Sequence, residues 1–289
     1  MKKEFTLYTL KKLSHVDSEN LINLSTLVGW DYDEQEINTV FNAGEIIGCM
    51  DSEDRLLASA AIIQYNHKTL YSIGMVIVHP DHRGLGLGRR VTESCLDAVS
   101  NNDRPVMLIA TEQGKPLYEK MGFRVINYVH KYTCLTPKAF RSEECSPLIF
   151  LYRKEDFQSV VAIDEQAFGD KRECFLDSRI RQSEKCVVLK NNEGEITGYG
   201  MAIQTPQNLI LGPIVSESND QAITLMSELL RGYKGKVRID VVQKHEKIIR
   251  YLEMIGFTKV AEPPVMALNH AAFPKRNGYL VAIAAQIFG

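Results

Sequence analysis

The chain is poor in the features that mark specialised proteins. Its six cysteines (49, 95, 134, 145, 174 and 186) form no CxxC pair and have no histidine at ligand spacing. That argues against structural zinc and against a disulfide scaffold. No metal is expected, and a reduced, cytoplasmic compartment is the default reading. Long apolar runs are missing too. The longest, Tyr279 to Ala285, falls far short of the ~18 residues of a membrane-spanning helix. Lys2 and Lys3 precede Phe5–Leu10, a stretch too short and too polar for a signal peptide. Charge of one sign is absent: 34 Lys+Arg stand against 36 Asp+Glu, a net −2. Without a basic field, a nucleic-acid partner is not expected. What remains is an ordinary globular composition, 45% hydrophobic and 24% charged. At roughly 150 residues per domain, 289 residues suggest two domains.

The pattern predicts an α/β fold. Phe5–Leu10 suggests a strand. Leu21, Leu24, Leu27 and Val28 recur at helical spacing behind a cap at Asp17 or Ser18. Asp33 and Glu36 resemble a capping box before Ile37, Val40 and Phe41, with Gly44 ending that helix. Glu45–Met50 and Leu56–Tyr65 flank a polar turn and read as a hairpin, followed by a strand over Leu70–Val78. A helix, the strand Val106–Ala110, a short helix opened by Pro116, and a strand over Phe123–Cys134 complete this half. The stretch Leu135–Pro147 reads as a linker, and the same order then begins again. Short phrases also recur. Tyr118–Phe123 (YEKMGF) matches Tyr251–Phe257 (YLEMIGF) with the glycines 134 apart, and Met75–Val78 matches Gly212–Val215 at 137. Two matches in one order at nearly one spacing predict a duplicated fold. The expected division is 1–138 and 139–289. The apolar tail Gly278–Gly289 is expected to dock as a strand.

The sharpest local signal is Val76-Ile77-Val78-His79-Pro80-Asp81-His82-Arg83-Gly84-Leu85-Gly86-Leu87-Gly88-Arg89-Arg90. A strand enters a loop with three alternating glycines that opens onto a helix. Glycines let backbone N–H groups approach a phosphate, and the helix N-terminus adds partial positive charge. Arg83, Arg89 and Arg90 can contribute charge-assisted bonds. A dinucleotide fingerprint fails, because the position three after Gly86 is Arg89. A nucleoside-triphosphate loop, GxxxxGK[ST], is absent. The bland alternative is a glycine-rich turn that only caps its helix.

The loop resembles the acetyl-CoA signature of the GNAT superfamily of N-acetyltransferases, [Q/R]-x-x-G-x-[G/A] after a V-x-P strand end. Arg83, Gly86 and Gly88 take those positions, behind Val78 and Pro80. Ala110-Thr111-Glu112-Gln113-Gly114-Lys115-Pro116-Leu117-Tyr118, continuing to Phe123, is similar to the family's late motif ending L-Y-x-x-x-G-F. The likeness covers residues 1–134. Its form is similar to a bacterial subgroup in which a catalytic domain precedes a divergent one. The resemblance implies tandem GNAT-like folds with a mixed sheet and acetyl-CoA as cosubstrate. It also implies transfer of the acetyl group to a small-molecule or peptide amine by direct attack. It places Val76, Ile77 and Val78 along the pantetheine, Arg83, Gly84, Leu85, Gly86, Leu87 and Gly88 around the phosphates, and a backbone N–H near Val76 as an oxyanion donor. Tyr118 matches the general acid, its phenol a workable proton donor to the leaving thiolate. Packing between helix and strand is the other reading of that tyrosine.

The strand before the loop, Leu70–Met75, carries no carboxylate to act as base. Glu112 or a water chain could serve, though a surface glutamate is the simpler reading of Glu112. Trp30, Tyr32 and the acids Asp31, Asp33, Glu34 and Glu36 stand where related enzymes build an acceptor pocket, but core packing and helix-start stabilisation also explain them. In the second half, the loop Ser216-Glu217-Ser218-Asn219-Asp220 has neither glycine nor arginine, and Leu252 takes the place of Tyr118. One cofactor site per chain is therefore expected. A non-catalytic acyl-CoA-binding regulatory module is the competing expectation, kept open by the missing carboxylate.

Overall fold

The computed structural model describes residues 8–99, 103–138, 148–242 and 246–289. The first half runs β1 (Thr9–Lys12), α1 (Ser18–Leu27), α2 (Glu34–Ala43), β2 (Gly44–Met50), β3 (Leu56–Gln64), β4 (Tyr71–Val78), α3 (Leu87–Asp97), β5 (Val106–Ile109), α4 (Lys115–Lys120), β6 (Arg124–Tyr128) and β7 (His130–Cys134). The second repeats that order element by element: β8 (Leu148–Leu151), α5 (Phe157–Phe168), α6 (Glu173–Gln182), β9 (Ser183–Lys190), β10 (Ile196–Gln204), β11 (Leu209–Ser216), α7 (Asn219–Leu229), β12 (Val237–Val241), α8 (Glu246–Met254), β13 (Thr258–Ala261) and β14 (Pro264–Leu268). One strand follows, β15 (Leu280–Ile283), so the apolar tail does dock in a sheet.

Local chemistry explains the boundaries. Asp33 caps α2 by accepting from the Glu36 N–H at 2.8 Å. The expected box closes only halfway, because the Glu36 carboxylate turns to Arg179 instead. Residues 139–147, most of the expected linker, lie outside the described residues, as do residues 5–7 of the expected first strand.

The stretch Phe123–Cys134, read from sequence as one strand, is two. It breaks at Val129, and its parts enter different sheets. The first sheet has the order β1-β2-β3-β4-β5-β14-β6, the second β13-β7-β12-β15-β11-β10-β9-β8. Each half thus lends the other a strand: β14 sits between β5 and β6, and β7 between β12 and β13. Alternation along β7 buries His130, Tyr132 and Cys134 and turns Lys131 and Thr133 to the other face. The main core fills the space between the sheets with α1, α2, α5 and α6, drawing on both halves. Separate cores lie under α3 and α4 and under α7 and α8.

Candidate active site

β4 pairs with β5 only at Tyr71, Ser72 and Ile73, and from there the two parallel strands diverge. On its other side β4 carries a bulge. Ser59 faces Ile77 and Ala61 faces Gly74, which leaves Met75 and Val76 together opposite Ala60. Met75 takes a left-handed conformation at φ 50, and its carbonyl accepts from the buried Ser59 hydroxyl at 2.9 Å. A non-glycine residue held there inside a strand is a strained arrangement of the kind found at functional sites.

Beyond β4 the chain turns at Gly84 and Gly86, both at φ +78, and enters α3. A Cβ on either would meet nothing within 4 Å, so it is the backbone conformation that requires glycine, and the space above the loop is open. Gly88 instead faces Val78, where a Cβ would stand 3.3 Å from a methyl group. The helix start, the open loop and exposed Arg83 fit a pyrophosphate. Arg89 is bonded to Glu93 at 2.6 Å, and Arg90 donates to the Tyr8 carbonyl.

The divergence opens a cavity of about 950 Å³, lined by Val76, Ile77, Val78, Arg83, Gly84 and the first turn of α3. Leu85 is 54% exposed and lies outside the lining. Tyr118, on α4, lines the same cavity. It is 6% exposed, with its ring 5.9 Å from Phe123 in an edge arrangement, and among the described residues its hydroxyl has no hydrogen-bond partner. Burial raises its pKa well above the usual phenol value, so the proton stays on. Thr111 lines the cavity, whereas Glu112 is exposed outside it. His82 borders the same loop and lines the cavity.

The far wall belongs to both halves. Trp30, Tyr32 and Asp31 approach from the first, Lys131 and Arg238 from the second sheet. Glu36 and Arg179 join the halves by a two-pronged ion pair at 2.6 and 2.8 Å. Ala284 to Ile287, just past β15, close the side next to β4, where Ile287 packs on Gly74. Sequence reasoning missed Lys131, Arg179, Arg238 and this tail, because no local motif marks residues that meet only across an interface.

The second half repeats this architecture with different residues at each of these positions. Its bulge falls at Gly212 and Pro213, between the pairs Ala202–Leu211 and Gly200–Ile214. At the 137-residue offset Pro213 stands where Val76 stands, and proline has no N–H to donate. β11 and β12 also pair briefly, then part, but β15 fills the gap between them. It comes so close that a Cβ on Gly212 would collide with the Ile283 carbonyl. Phe257 donates to the Leu252 carbonyl at 2.9 Å as Phe123 does to that of Tyr118 at 3.0 Å, which confirms Leu252 as the counterpart of Tyr118. The acidic loop is capped by its own Ser218, whose hydroxyl accepts from the Gln221 N–H.

This tandem arrangement, with a splayed sheet over a glycine loop, defines an acyltransferase of the GNAT class. Models of the acetyltransferase (GNAT) domain match residues 28–132 and 160–282. The uncharacterised N-acetyltransferase YitH of Bacillus subtilis is 34% identical over 281 residues, covering 97% of this chain and 98% of YitH. The chain belongs to the GNAT acetyltransferase family. Among solved structures, a protein from Pyrococcus horikoshii shares the fold at a TM-score of 0.78 and 17% identity, with 99% and 98% of the two chains covered. A tandem GNAT protein from the clavulanic acid biosynthesis pathway does so at 0.65 and 14%, covering 91% and 98%. No helix among the described residues is long and apolar enough to cross a membrane.

Proposed function

We propose that the first half, residues 1–138 with the strand lent to it, moves an acetyl group from acetyl-CoA to an amine by direct attack. The second half serves as scaffold and acceptor wall. The observation that carries this reading is that the β4 bulge, the open glycine loop and Tyr118 border one cavity, while each counterpart in the second half is replaced or filled. Val76, Ile77 and Val78 run along the pantetheine arm, and the segment Arg83–Gly88 surrounds the phosphates. A backbone N–H at the bulge polarises the thioester carbonyl. The amine nitrogen bonds to the carbonyl carbon, the carbon–sulfur bond breaks, and the Tyr118 hydroxyl gives its proton to the departing sulfur. Bulk solvent, which reaches the cavity through its mouth, takes the proton lost by the amine.

Release of CoA thiol by purified protein across an amine library tests the reading. Tyr118→Phe should lower kcat by about 10²–10⁴-fold while acetyl-CoA still binds. Failure of the wild-type chain to bind acetyl-CoA, or full turnover by the variant, would overturn it.

A further inference from the structure

The glycine loop, the bulge and Tyr118 occupy one end of the cavity. The other end is a face of the second sheet. The antiparallel register of β7 and β12 sets Lys131 opposite Asp240 and Thr133 opposite Arg238, so these four side chains share that face. Both Asp240 oxygens are engaged. Arg238 donates to one at 3.0 Å and to the other at 2.5 Å, and the Gln286 amide reaches the second at 3.3 Å. Lys131, directly across, has no carboxylate within 4 Å among the described residues. It is partly buried, and burial together with neighbouring Arg238 lowers its pKa. Lys236, two residues before Arg238, extends the positive wall. Arg179 lines the cavity at 2% exposure, and although Glu36 neutralises it, its Nε is buried without a partner. Asp33 is committed to the α2 cap, which leaves Asp31 as the acid facing this wall. An unpaired, partly desolvated ammonium on a cavity wall is unfavourable unless a ligand completes it.

We infer that the amine acceptor carries an anionic group, carboxylate or phosphate, that docks on Lys131 beside Arg238. This rests on the acetyl-transfer reading of the same cavity. The amine end then points away from the second sheet, toward the thioester. Asp31 at the edge of the wall suits an acceptor that arrives as a zwitterion.

The test compares matched acceptors with the full chain: amino acids against their primary amides, and phosphoethanolamine against ethanolamine. The anionic member of at least one pair should have a kcat/KM higher by about tenfold or more. Lys131→Met should abolish that preference by raising the KM for the anionic member about tenfold or more, with calorimetric affinity for acetyl-CoA unchanged. Lys131→Arg should retain most of the preference. The pair that shows the preference identifies carboxylate or phosphate. Equal use of both members of every pair, no turnover of any anionic amine, or a preference that survives Lys131→Met overturns the inference. Parallel titration separates the two failures. Absence of acetyl-CoA binding removes the acetyl-transfer reading itself, whereas binding without anionic preference removes only this inference.

Discussion

Tyr118 shows how one residue's surroundings select its chemistry. Burial holds its proton far above the ordinary phenol pKa of ~10. The acid form is therefore complete at any pH where the acceptor amine becomes free base. In the proposed mechanism kcat rises with pH as the amine deprotonates and shows no fall below about pH 10. A pH–rate profile checks this, and an alkaline fall near about pH 8.5, the ordinary thiol range, would exclude Tyr118 as the acid. Lys131 carries the opposite sign. Its folded pKa is lowered, so below that value the charged form opposes folding in full, and the penalty fades as pH rises toward the unfolded value of ~10.4. Lys131→Met should raise the melting temperature at about pH 7 by about 2 °C, with the gain shrinking toward about pH 10; differential scanning calorimetry reads both. A wall residue that destabilises the fold is expected where binding, not stability, is served.

At the scale of elements, the loop into α3 and the bulge in β4 do different work. Gly86 needs its left-handed backbone but has open space around it. Gly86→Val should therefore cost about 1–2 kcal/mol of stability and weaken acetyl-CoA binding more than tenfold, because the side chain enters the space in which the proposed mechanism puts the phosphates. Calorimetry and denaturant melts separate the two effects. The paired element in the second half is closed by β15, and calorimetry should find one acetyl-CoA equivalent per chain. Two equivalents would contradict the closed cleft. The glycine–arginine loop, the capping aspartate at 33 and the tail's strand character were legible from the sequence, since each is a local pattern. The bulge was not. Met75 carries no glycine to announce its positive φ, and only Pro213 at the matching offset hints at the shared irregularity.

Across the whole molecule, the strand exchange makes the halves interdependent. Without β14, β5 and β6 would be left with unpaired edges, a hazard for any sheet. Residues 1–138 expressed alone should aggregate, and co-expression with 139–289 should restore soluble material; sedimentation and chromatography decide. Buried polar contacts reinforce the join. Asp170 accepts from the His67 and Thr69 N–H groups and from the Thr69 hydroxyl at 2.6 to 2.9 Å. Arg172, held by Asp164 at 2.7 Å, donates to the Phe288 and Gly289 carbonyls and so fixes the tail that walls the cavity. Asp164→Ala would strand that buried guanidinium and should destabilise the chain by about 3–5 kcal/mol in a denaturant titration.

Periodicity, the glycine loop and the late tyrosine motif sufficed to determine from sequence the α/β class, the duplication and the family. These are short motifs of neighbouring residues, or the recurrence of such motifs at one spacing along the chain. Tertiary structure alone decided which sheet each last strand joins, that β15 fills the second cleft, and that Lys131 and Arg238 line the same cavity as Tyr118. Such contacts join residues from dozens to more than a hundred positions apart, and their partners are chosen by sheet pairing and burial, which leave no spacing in the chain to read.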